Sequence, residues 1–112
     1  MTKPLSPELM AMHRVKNILR ESWYHPDHGR EGPCLVDAIN MAAPWEAQDG
    51  ELRYHGELRY RVRMAFEKYA TSENGLVRWN DKPGRTHAEV MDLCEKVILD
   101  EERRQALAGG KE

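Results

Sequence analysis

The chain has 112 residues, a formal net charge of −2, 40% hydrophobic and 32% charged residues. Such a chain holds one domain with a modest core, and its charge excludes reliance on nonspecific attraction to nucleic acid. No apolar run approaches the roughly 20 residues of a bilayer span, the first residues lack the apolar core of a secretion signal, and two distant cysteines, Cys34 and Cys94, make no disulfide framework. A reduced, cytoplasmic setting is expected.

The first predicted helix opens with Ser6 as cap and Pro7 at the first helical position, where a missing N–H costs nothing. Leu9, Met12, Val15, Ile18 and Leu19 then share one face up to about Ser22. Trp23 to Gly32 breaks this pattern and reads as a structured loop. Pro33 opens a short second helix with Leu35, Ala38, Ile39 and Ala42, stopped by Pro44; its low charge marks it as the central, most buried helix. From Trp45 to Gly56 the pattern is weak, and Leu52 and Tyr54 read as a brief extended piece or as loop anchors.

A third helix is expected from about Glu57 to Thr71, with Leu58, Val62, Ala65, Phe66 and Tyr69 inward and Asn74-Gly75 as its cap. Asn80 to Gly84 is turn chemistry beside Trp79, which should pack against the base of that turn. Thr86 and Glu89 then have capping-box spacing ahead of Val90, Leu93, Cys94, Val97 and Ile98. Beyond Asp100 the stripe is lost, so the end should project or fray, and residues 109–112 should be a disordered tail. The expectation is an all-α, single-domain bundle of four main helices over residues 1–108, with the other three packed around the short second one.

Four groups of residues carry candidate chemistry. Cys34 sits at a helix start, where unpaired N–H groups and the dipole lower a thiol pKa. With His87 as base and Asn80 or Asp81 as orienting group it would make a nucleophilic site for a hydrolase or transferase; the simpler account is a packed thiol. His25, His28 and Cys34 are the right types for zinc at no standard spacing, so no metal and no cofactor are assigned. Arg53, Arg59, Arg61, Arg63 and Lys68, with Tyr54 and Tyr60 among them, could meet phosphates, but Glu51, Glu57 and Glu67 favour a solvated face with salt bridges. Finally, Tyr24, Trp45, Tyr54 and Tyr60 fall off the predicted apolar faces, and aromatic and arginine side chains anchor interfaces.

The run Cys34-Leu35-Val36-Asp37-Ala38-Ile39 together with Trp79-Asn80-Asp81-x-Pro83-Gly84-Arg85-Thr86-x-Ala88-Glu89-Val90 resembles a family of small uncharacterised proteins of bacteria and their phages. In that family the first run usually reads Cys-x-x-Gly-Ala, and Asp37 stands here in place of the glycine. The resemblance implies an accessory protein, phage-encoded, that binds a host protein. Tyr24 and Tyr54, with Arg53 and Arg59 beside them, are the expected anchors, because both loops emerge from the ends of the second helix.

Overall fold

A computed structural model describes residues 5–27, 32–43 and 52–109, with backbone alone for 52–56 and 109. The protein is all-α. Among the described residues its helices are α1 (Pro7–Glu21), α2 (Leu35–Ala42), α3 (Leu52–Glu67), α4 (Leu76–Asp81) and α5 (His87–Gly109), with a 3-10 turn over Thr71–Glu73. No strand is present among the described residues, and none of their helices is long and apolar enough to cross a membrane.

The start of α1 follows the expected chemistry: Ser6 Oγ accepts from Leu9 N at 3.1 Å and Pro7 takes the first helical position. Leu9, Met12, Val15 and Leu19 are buried, with Ile18 packed at the margin of the core. In α2, Leu35, Ala38, Ile39 and Ala42 are buried. Val62 and Phe66 of α3 and Val90, Leu93, Cys94, Val97 and Ile98 of α5 complete the core, joined by Trp23, Leu76 and Trp79.

Five expectations need correction. α3 starts at Leu52 rather than Glu57 and passes straight through Gly56, so Leu52 and Tyr54 belong to helical backbone and not to an extended piece. It also ends at Glu67 rather than Thr71. The chain then makes its 3-10 turn, and Asn74 adopts the left-handed conformation at φ 63° as the cap of that turn instead. Leu76 to Asp81 is a short helix, so Trp79 and Asn80 lie on helical backbone just before the turn that begins at Lys82. α5 continues to Gly109, and Glu101, in the stretch expected to project or fray, is buried and held by Arg104 and by Gln105 Nε2 at 2.7 Å. Residues 110–112 lie outside the described residues.

The packing centre also differs. α1 contacts α2, α3 and α5, whereas α2 contacts α1, α3 and α4, so α1 is the element that the long helices share. Two polar bonds join α1 to α5 at opposite ends, and the Lys16–Glu95 ion pair links the helices between them at 2.5 Å. His87 Nε2 donates to Leu19 O at 2.6 Å, and Gln105 Nε2 donates to Ser6 Oγ at 2.6 Å. The two helices therefore run antiparallel.

Candidate functional site

The turn after α4 is built around one buried amide. Asn80 is fully buried, and its Oδ1 accepts from Trp23 Nε1 at 2.7 Å and from Leu35 N at 3.0 Å. Its Nδ2 donates to Tyr24 O at 3.1 Å and to Asp81 Oδ1 at 2.9 Å. All the amide's hydrogen-bonding capacity is thus engaged. The loop after α1, the start of α2 and the end of α4 meet at this side chain.

His25, also fully buried, adds a second link. Its Nδ1 accepts from Asp27 N at 3.0 Å, so the proton sits on Nε2, which donates to Lys82 O at 2.8 Å. Trp23 lies between two imidazoles: the His25 ring centroid is 5.3 Å away, and the His87 ring stacks at 5.8 Å with an interplanar angle of 14°.

The candidate nucleophile and its partners surround this hub without bonding to one another. Cys34 caps α2: its Sγ accepts from Asp37 N at 3.5 Å, while its own N–H donates to the Asp37 carboxylate at 3.4 Å. The helix-start effect on the thiol is therefore present, but burial outweighs it and, with the Asp37 carboxylate, leaves the thiol above its ordinary pKa. His87 is bound to Leu19 O, and Asp81 accepts from Asn80. Among the described residues no hydrogen bond joins Cys34, His87 and Asp81. Cys94 is buried in the core, where desolvation pushes its thiol up to about 12.

Of the expected partner anchors, Tyr24 is half-buried and its backbone is held by Pro33 O and by Asn80. Arg59 is also half-buried, and its Nε donates to Ala43 O at 2.9 Å, covering the end of α2. The side chains of Arg53 and Tyr54, like Trp45 and His28, lie outside the described residues. Among the described residues no group of three or more side chains could hold a metal ion.

Two arginines of α3 are engaged in ion pairs, Arg61 with Glu8 at 3.1 Å and Arg63 with Glu67 at 3.3 Å, and nearby Lys68 pairs with Asp100 at 3.5 Å. What stands out on the outer face of α3 is apolar. Tyr60 is 63% exposed and Met64, one turn on, is 45% exposed. Met64 also borders a recess of about 480 Å³ formed with Lys68, Ala70, Thr71 and Gly75. Met64 was missed in the sequence, although its spacing from Tyr60 on the face opposite Val62 and Phe66 could have singled it out.

Residues 11–100 match the profile of a family of unknown function, DUF6197. The chain belongs to that family. In this DUF6197 member the matched span encloses Trp23, Cys34, Asn80 and Arg85, and stops inside α5 ahead of Gln105 and its bond to Ser6. No curated protein and no solved structure matches the chain.

Proposed function

We propose that this protein acts by binding another protein, through the outer face of α3, and not by catalysis. The observation that carries this reading is the exposed pair Tyr60 and Met64 beside an open recess large enough for a partner's apolar side chain. Aromatic and methionine side chains on a rigid helix supply contact area at low entropic cost. The paired charges of Arg61, Arg63 and Lys68 make a polar rim around them. Two further features support the reading. His25 and His87 are committed to backbone carbonyls, and the Cys34 thiol is held above its ordinary pKa. From the resemblance, the partner is a host protein met in a bacterial cytoplasm by a phage-encoded accessory protein.

The test compares wild-type protein with Tyr60→Ala and Met64→Asp as baits in bacterial lysate. A protein retained by wild type and lost from both variants, at unchanged unfolding midpoints, supports the proposal. Equal capture by all three baits overturns it.

A further inference from the structure

The turn leading into α5 borders a second cleft with its own chemistry. Arg85 lies over the Trp79 ring, with Cζ 3.8 Å from the ring centroid, and its side chain is 9% exposed. Its Nε donates to Trp79 O at 2.9 Å and its Nη1 to Glu89 Oε2 at 3.1 Å. Stacking and two directed bonds therefore fix the guanidinium plane. Among the described residues every buried side-chain nitrogen and oxygen has a hydrogen-bond partner. Nη2 has no protein acceptor, so it keeps some exposure to solvent, and Arg85 lines a cleft of about 230 Å³.

The cleft has charge of both signs. Lys96 and Asp92, one turn apart on α5, line it with Arg85 and Glu89, and neither Lys96 nor Asp92 has an ion-pair partner among the described residues. Two cations and two carboxylates leave no net charge to favour a simple anion or a simple cation. A ligand with both charges a few ångströms apart can satisfy both signs at once. Leu93 and Tyr69 form an apolar wall beside these groups.

We propose that this cleft binds a free α-amino acid. The carboxylate sits on Arg85 Nη2 and Lys96, the ammonium on Asp92 and Glu89, and an apolar side chain lies against Leu93 and Tyr69. An arginine held rigid before the ligand arrives loses little entropy on binding.

The probe is L-leucine, titrated into isotope-labelled protein and followed by NMR at the Trp79 indole N–H and the backbone amides of α5. N-acetyl-leucine, which lacks the ammonium, and leucine methyl ester, which lacks the carboxylate, are the controls. Saturable shifts with leucine, at least tenfold weaker for each control, are expected. Asp92→Asn and Lys96→Met, both at exposed helix positions, should each weaken leucine binding by tenfold or more without changing the remaining spectrum. No saturable shift with leucine, a control that binds as tightly as leucine, or variants that bind like wild type would each overturn the proposal.

Discussion

The indole nitrogen of Trp23 donates to the side-chain oxygen of Asn80 at 2.7 Å, across 57 residues of sequence. The same oxygen takes the N–H of Leu35, so one buried amide holds the first loop to the start of α2. Replacing Asn80 by Ala would strand the Trp23 and Leu35 donors and the Tyr24 carbonyl inside the protein. Leaving buried polar groups unpaired costs about 1–3 kcal/mol each before relaxation or water entry. Asn80→Ala should therefore lower stability by about 2–4 kcal/mol in urea unfolding.

Gly32 adopts φ +152°, and a Cβ added there would strike Ser22 Oγ. Gly32→Ala is expected to destabilise by about 1–3 kcal/mol, since both backbone and contact are unfavourable. Gly75 also has positive φ but has open space around it, so Gly75→Ala should cost less than Gly32→Ala. Thermal unfolding of the pair checks the order.

Ile98 is buried and its neighbour Leu99 is 53% exposed. Truncation to Ala should cost about 2–5 kcal/mol at Ile98 and within about 0.5 kcal/mol at Leu99. Equal losses at the two positions would mean that α5 is rotated about its axis.

Both thiols are held above their ordinary pKa by burial, Cys94 the more strongly. Alkylation by iodoacetamide at pH 7 should be slower at Cys34 than for a free cysteine, and slower still at Cys94 until the protein unfolds. Mass spectrometry of peptides from timed samples reads both rates. A Cys34 faster than free cysteine would revive a nucleophilic role.

Glu89 closes the capping box at the start of α5. Its Oε1 accepts from Thr86 N at 2.9 Å, while Glu89 N donates to Thr86 Oγ1 at 3.1 Å. The Thr86 N–H bond, helped by the Thr86 hydroxyl and Arg85 against a smaller effect of desolvation, holds the carboxyl below its ordinary value of 4.5. A carboxyl depressed in the folded state stabilises it fully above the unfolded value, and that contribution disappears as pH falls through the folded one. Glu89→Gln should therefore have a shallower stability loss below pH 4.5 than wild type, measured by urea midpoints along a pH series.

The parts of the fold legible in the sequence are those governed by local chemistry. Ser6 and Thr86 cap their helices, and the stripes from Leu9 to Leu19 and from Val90 to Ile98 are buried, whereas the second helix opens at Leu35 with Cys34 as its cap and not at Pro33. The misjudged parts depend on distant partners. Gly56 looks like punctuation but lies inside a helix, and Glu101 looks like the end of a stripe but is buried with Arg104 and Gln105. Asn80 has the composition of a turn residue, and nothing local to it indicates that Trp23 and Leu35 bring their donors to it. Trp79, Arg85 and Glu89 stand in one sequence motif, but that motif reads as a turn and a helix cap, with no ligand role for Arg85. Which guanidinium edge stays open depends on the stacking of Arg85 over Trp79, which sequence spacing does not encode.

The bonds from His87 to Leu19 and from Gln105 to Ser6 sit at opposite ends of the α1–α5 seam. Between them the buried seam is aliphatic, with the partly exposed Lys16–Glu95 ion pair at its margin, and aliphatic ridges can mesh again after sliding by a helical turn of about 5.4 Å. Such a slide would carry both polar groups out of reach together. The pair works like two dowels in a sliding joint: the greasy surfaces between them supply adhesion but permit several settings, and the pegs allow one.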